Sequence, residues 1–405
     1  MQPNPAHPLG DLSARAFLRR HWQKRPLLVR AALPDFVDAV SRGDLFALAG
    51  RDDVESRLVL RSNGRWRVRH GPFDKRELAR LPPAGWSLLV QGVNHFLPRA
   101  DAMLGCFAFI PYARLDDVMV SVSPPGGGIG PHVDAYDVFL LQTSGRRRWR
   151  ISRQRDLALI EDAPLRLLRD FRATREWLLE PGDMLYLPPG RAHDGVAVTD
   201  HCITCSIGFR AAGARELATG FLDYLRDNLR IAGAYTDPEL RLQAHPAAIG
   251  RSMTRKLHAL LARLRWSASD EATFFGVFLT EAKPNVTFEP PRRPAGEERF
   301  RSDAESRGVA LAPKSRMLYR GNAVFINGEH HRVGAGARRV LAGLADRRRI
   351  GPARRLDAES LDLLYQWYRA GYIVPNTGAG GGGHDGPGRR RTGAEPAKAR
   401  RRRGV

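Results

Sequence analysis

At 405 residues, 43% of them hydrophobic, the chain is long enough for two or three domains with real cores, which excludes a largely disordered protein. No stretch approaches the roughly 18 uninterrupted apolar residues of a membrane span, and three cysteines make no disulfide framework, so a soluble protein of the reducing cytoplasm is expected. The formal net charge of +22 is carried mainly by arginine; it fits contact with RNA or ribonucleoprotein as well as a genome rich in arginine codons.

The opening MQPNPAHPLGDL lacks a basic region followed by an apolar run, so no signal peptide is predicted. Residues 13–22, SARAFLRRHW, predict a short amphipathic helix with Phe17, Leu18 and Trp22 inward. Leu27-Leu28-Val29 reads as a strand after the break at Pro26. SRLVLRS, RWRVRHG and Trp86–Val90 are further strand candidates, and residues 100–110 read as a helix. From about 114 to 210 short strands alternate with turn signals. VMVSVS, DVFLLQ, RRWRIS, DMLYLPP and ITCSIGF are punctuated by PPGGGIGP, TSG, EPGD and PPG. This spacing predicts a β-sandwich or barrel, such as a cupin-type jelly roll. Cys202 and Cys205 form a CxxC inside a strand. Residues three apart on a strand face opposite sides, so structural cysteines are expected rather than a zinc site.

After Arg210 the periodicity becomes helical. Leu217, Phe221, Tyr224, Leu225 and Asn228 form one stripe and Met253, Leu257, Leu260, Leu261 and Leu264 another; Phe274, Phe275, Phe278 and Leu279 follow. These helices either mediate dimerisation or cap the barrel. EPPRRPAGEER (289–299) reads as a linker. Beyond it, Asn327-Gly328 predicts a hairpin, residues 337–346 a helix, and Leu361, Leu364, Tyr365 and Tyr368 a helical face ended by Gly371. Helices plus a hairpin in this span resemble a winged helix, a unit that binds DNA or serves a structural role. The tail from Thr377 is Gly-rich, then basic, with eight basic and two acidic residues; it predicts disorder and either an RNA tether or a solvated end.

The chemistry gathers in 126–151, GGGIGPHVDAYDVFLLQTSGRRRWRI. On a strand His132 and Asp134 share a face, and the preceding glycines let the backbone approach closely. His193 follows the turn PPGRA, 59 residues after Asp134, in EPGDMLYLPPGRAHDG. Two imidazoles and one carboxylate are the facial triad of non-haem Fe(II) oxygenases, with positions open for a 2-oxo acid and dioxygen. Histidines such as His95, His201, His258, His330 and His331 lack a partner at ligand spacing and read as ordinary. In GRRRWRI, alternation places Arg146, Arg148 and Arg150 on one face and Arg147 with Trp149 and Ile151 on the other. An inward Arg147 needs an anion, and its fork suits the distal carboxylate of 2-oxoglutarate. Ser206, on the face of Cys202 and Thr204, is a second candidate co-substrate contact.

These motifs, with FLRRHWQKRPLLVRAALP and FFGVFLTEAKPNV, resemble the bacterial ribosomal oxygenases, JmjC/cupin-like protein hydroxylases dependent on Fe(II) and 2-oxoglutarate. The resemblance covers most of the chain. It implies an α+β architecture: a jelly-roll catalytic domain with N-terminal extension over 1–210, a helical dimerisation region over 211–290, a winged helix over 296–376 and a basic tail over 377–405. It implies metal ligation by His132, Asp134 and His193, co-substrate binding by Arg147, and hydroxylation of an arginine β-carbon in the large-subunit ribosomal protein L-sixteen. It also implies a homodimer. The tail lies outside the family pattern, and rRNA contact through it is a separate expectation. A guanidinium guest favours acidic or aromatic partners near the mouth, for which Tyr136, Asp116 and Asp117 are the candidates. Competing readings are a ribosomal-protein histidyl hydroxylase, a JmjC-type demethylase, and a non-catalytic nucleic-acid-binding protein.

Overall fold

A computed structural model describes residues 8–228, 232–353 and 355–376. Helix α1 (Ala14–Arg20), capped by the Ser13 hydroxyl, leads into strand β1 (Leu27–Val29). Helix α2 (Arg42–Ala49), strands β2 (Ser56–Ser62) and β3 (Arg65–His70), helix α3 (Lys75–Ala79), β4 (Trp86–Val90) and α4 (Pro98–Gly105) follow. The barrel strands are β5 (Leu115–Ser123), β6 (Val138–Ser144), β7 (Arg147–Ile151), β8 (Arg175–Leu179), β9 (Met184–Leu187), β10 (His193–Ala197) and β11 (Cys202–Phe209).

Two sheets result. The major one has the order β1-β9-β6-β11-β5-β4-β2-β3 and the minor one β10-β7-β8. Strand alternation sorts side chains between two environments. From β5, β6 and β11, the residues Val118, Val120, Val122, Phe139, Leu141, Ile203, Cys205 and Ile207 enter the main core, with Phe17 of α1, Leu45 of α2 and Met103 of α4. The alternate residues Val138 and Leu140 join Trp149, Ile151, Leu179, Leu185 and Leu187 in a smaller cluster. Also on the alternate face, Asp117, Met119, Ser121, Thr204 and Ser206 line a cavity. One set of strands therefore carries an apolar outer face and a partly polar inner one, which is the double-stranded β-helix of a jelly roll. Cys202 and Cys205 are buried and free; Cys205 is in the main core, while Cys202 accepts from the Gln142 amide at 3.3 Å.

Helices α5 (Ala214–Asn228), α6 (Arg251–Leu261) and α7 (Ala268–Thr280) form the middle of the chain. The C-terminal unit comprises α8 (Glu297–Arg307), β12 (Val309–Leu311), β13 (Met317–Arg320), β14 (Ala323–Ile326), β15 (Glu329–Arg332), α9 (Ala335–Arg347), β16 (Arg349–Ile350), α10 (Ala358–Ala370) and β17 (Ile373–Pro375). The wing is β13-β14-β15, turned at Asn327 and Gly328, both with positive φ. Gly371, in the left-handed region at φ 79°, ends α10.

Several expectations change. Leu18 is exposed, because α1 turns only Phe17 into the core. Leu264 lies beyond the end of α6, and Phe275 is exposed while Phe274 is buried. The linker ends at Gly296, where α8 begins. The His132-Val133-Asp134 segment is not a strand; only His132 pairs, in an isolated antiparallel bridge with His193. The tail from Thr377 lies outside the described residues.

Candidate metal centre

The bridge between His132 and His193 sets the centre. Each backbone N–H donates to the other's carbonyl at 2.9 Å, which brings the two rings to a centroid distance of 4.1 Å. Glycines make the approach possible. A Cβ on Gly128 would stand 2.5 Å from the Gly195 carbonyl oxygen, and one on Gly195 would stand 2.6 Å from the Trp149 ring. The close approach that the glycine run permits is thus to strand β10, which carries the second histidine.

Each imidazole is held the same way. His132 Nδ1 lies 2.8 Å from the Gly130 carbonyl and His193 Nδ1 lies 2.8 Å from the Arg191 carbonyl. A carbonyl only accepts, so Nδ1 carries the proton and Nε2 turns its lone pair inward, the arrangement that orients metal-binding histidines. Asp134 completes the set: its carboxylate lies 3.9 Å from His132 Nε2 and 3.6 Å from His193 Nε2. The three side chains can present one ligand atom each within 4.8 Å of one another, and no other trio of His, Cys, Asp or Glu does so among the described residues. Gly190 N donates to the Asp134 carbonyl at 2.8 Å, so the 188–193 loop braces one ligand and delivers another.

Electrostatics fit a cation. Burial, with a further push from His132, lowers the His193 pKa well below its usual value, leaving a neutral imidazole. Burial pushes the Asp134 carboxyl above its usual range, against the opposing pull of His132 and a hydrogen bond with Tyr136. A half-buried carboxylate beside the neutral imidazole of His193 is relieved by a divalent ion.

The centre opens on a cavity of about 420 Å³, between the two sheets. Arg147 is 4% exposed on its wall. Its guanidinium donates to Ser123 Oγ at 3.0 Å and more weakly to the Gly195 carbonyl at 3.4 Å, while Nε has no partner. No carboxylate pairs with it among the described residues, so a buried charge is left uncompensated inside the protein. A co-substrate carboxylate supplies what is missing. Ser206 lines the same cavity, and Thr204 donates to Gln142 at 2.9 Å.

Sequence reading overlooked the inner positions of β4 and β5. Ser87 and Ser123 share a 2.7 Å hydrogen bond, which places Ser123 to receive Arg147. The alternation in VMVSVS, with Ser121 and Ser123 on the face opposite the valines, is the signal that exposes Ser123. Tyr136 stands at the mouth, 41% exposed. Asp116 and Asp117 also line the cavity, but their charges are engaged. Asp116 meets Lys283 at 2.9 Å and Arg316 at 2.7 Å, and Asp117 meets Lys283 at 2.9 Å and the Gln91 amide at 2.8 Å. Lys283 and Arg316 come from the C-terminal half, so these carboxylates tie that half to the barrel wall.

Comparison with known proteins identifies the family. A JmjC domain matches residues 102–217, and a ROXA-like winged helix matches residues 263–373. The chain is 38% identical over 318 residues to the ribosomal protein uL16 3-hydroxylase of Escherichia coli (strain K12), covering 77% of this chain and 84% of that protein. It is 36% identical over 256 residues to a probable ribosomal oxygenase of Haemophilus influenzae, covering 62% of this chain and 61% of that protein. The solved structure of the E. coli ribosomal oxygenase YcfD in complex with cobalt and 2-oxoglutarate superposes with a TM-score of 0.76 at 34% identity, over 90% of this chain and 98% of that one. The chain belongs to the JmjC ribosomal oxygenases, Fe(II)- and 2-oxoglutarate-dependent enzymes with a jelly-roll catalytic domain and a winged helix.

Proposed function

We propose that this protein hydroxylates the β-carbon of an arginine in the large-subunit ribosomal protein uL16. One observation carries the reading: the His132, Asp134 and His193 set opens on the same cavity as Arg147, a buried cation with no counter-ion among the described residues. In this reading the three side chains hold Fe(II), Arg147 takes the distal carboxylate of 2-oxoglutarate, and Ser206 is a minor contact. When bound, iron and 2-oxoglutarate supply the oxidative chemistry, placing one atom of dioxygen in a substrate C–H bond and releasing succinate and carbon dioxide. The protein's own work is orientation and exclusion of water. The carbonyls of Gly130 and Arg191 fix the imidazoles, Ser123 aims Arg147, and Leu140 and Trp149 give the cavity apolar wall. Tyr136, exposed at the mouth, is the substrate contact. The part left to Asp116 and Asp117 is to hold the wall through Lys283 and Arg316.

The wider assignment follows the same division: catalytic domain over 1–210, helical region over 211–290, winged helix over 296–376. The helical region exposes Leu222, Leu257, Leu261 and Trp266, each at least half accessible, which supports a homodimer through this surface. No helix among the described residues is long and apolar enough to cross a membrane. Action in the cytoplasm, where ribosomal proteins are made, and rRNA contact through the basic tail complete the proposal.

Incubating the protein with Fe(II), 2-oxoglutarate and unmodified uL16 should add one oxygen atom, mapped by mass spectrometry to an arginine. A gain only on a histidine of another ribosomal protein would assign the chain as a histidyl hydroxylase instead.

A further inference from the structure

A second cavity, of about 490 Å³, shares no lining residue with the first. Arg25, Arg153, Arg175 and Arg191 line it, with His21 and Pro26. No carboxylate is among them. Nor does any of the four guanidiniums form an ion pair with a carboxylate among the described residues. The adjacent row of the minor sheet shows the contrast. There Arg150 lies between Glu176 and Asp194 in register and pairs with Asp194, while Arg148 pairs with Glu176 at 3.3 Å. One row along, Arg175 lies opposite Ile151, which lies opposite His193, and no acid compensates it. Arg191 donates to the Ser152 carbonyl at 3.1 Å, but its Nε is buried without a partner.

We propose that this cavity is an oxyanion site that takes a phosphate group, either the phosphodiester of an RNA strand or free phosphate. Four converging guanidiniums exceed what a single carboxylate neutralises. A phosphate offers more charge and several acceptor oxygens to bidentate forks. The volume is within the range of ordinary ligand pockets. The position is informative as well: Arg191 is two residues before His193, and its carbonyl receives the His193 ring. A phosphate seated here anchors the loop that delivers His193, while leaving the catalytic cavity open. The site is independent of which residue the enzyme hydroxylates.

The test uses the full chain and the double variant Arg153→Gln/Arg175→Gln, whose side chains are exposed, with melting curves to confirm the fold. A short single-stranded RNA is titrated over a salt series, and inorganic phosphate is titrated by calorimetry. If the site reads an RNA phosphodiester, the variant binds the RNA about tenfold more weakly at low salt, and its slope of log K against log salt is shallower by about 1.4. The basic tail is present in both proteins and does not contribute to this difference. Loss of inorganic phosphate binding with RNA binding unchanged supports the site with free phosphate as its ligand. Wild-type affinity for both probes overturns the proposal, as does a polyglutamate peptide binding more tightly than either.

Discussion

In the C-terminal unit the buried polar side chains serve the backbone. The Ser360 hydroxyl donates to Asp357 at the cap of α10, and the Ser315 hydroxyl donates to the Tyr372 carbonyl, each at 2.7 Å. Around them Leu341, Leu344, Leu364 and Trp367 fill an apolar core. In the barrel, Arg147, His193, Thr204 and Ser206 are just as buried, yet they face a cavity. Holding polar groups there costs free energy, and the partnerless Arg147 Nε shows that the protein does not recover it internally. Ser315 and Ser360 complete the fold of their own unit, whereas Arg147 and the Nε2 atom of His193 face an open cavity. Variants in the two regions should therefore fail in different ways.

The sharpest separation comes from Asp134→Ala. Turnover should fall about a thousandfold or more, with loss of metal binding in equilibrium dialysis and little change in melting temperature. A large loss of stability would place Asp134 among the folding groups and break the comparison. Trp367→Ala is the converse. It should cost about 3–5 kcal/mol in urea unfolding, while the fraction still folded keeps its metal affinity. Arg147→Ala should raise the 2-oxoglutarate requirement about a hundredfold, read as KM for the co-substrate, with unfolding almost unchanged. An unchanged KM would remove Arg147 from co-substrate binding.

The junction between the regions gives two smaller effects. His95 lies against Arg316, Lys283 and Lys314, and burial first, then these cations, lower its pKa to about 4. Its neutral form is the one that fits the fold. Stability is therefore fully present above the usual histidine pKa of about 6.5 and is lost as pH falls toward 4, by at most about 3 kcal/mol. In His95→Gln this part of the pH dependence should flatten, measured by unfolding at neutral and acidic pH. Lys283→Met removes one partner from Asp116 and from the buried Asp117, which keeps Gln91. It should cost about 1–3 kcal/mol and speed hydrogen exchange along β5. No change in exchange would mean that the charged contacts do not hold the C-terminal half to the barrel.

Much of this was legible in local pattern. Period-two alternation placed Arg147 with Trp149 and Ile151, and these are the buried residues of β7. Asn327-Gly328 and Gly371 marked turns because few other residues tolerate positive φ. Where the pattern misled, a neighbour outside the segment decided. Leu18 reads as inward, but the space beside α1 is taken by Phe17 packed on Phe139 and Tyr186. Asp116 and Asp117 read as receptors for a guanidinium, but Lys283 and Arg316, far along the chain, already hold them.

By itself, then, the sequence determined the kinds of ligand atom, their spacing along the chain and the face each strand residue takes. These depend on residue chemistry and on backbone periods of two or 3.6, both local properties. Tertiary structure alone decided that His132 and His193 meet across a two-residue bridge, and that among the described residues Arg147 pairs with no acid while Arg150 does. It also brought four arginines from distant segments around one cavity. Which charges are neutralised depends on what the fold brings within a few ångströms, and no period in the chain carries that information.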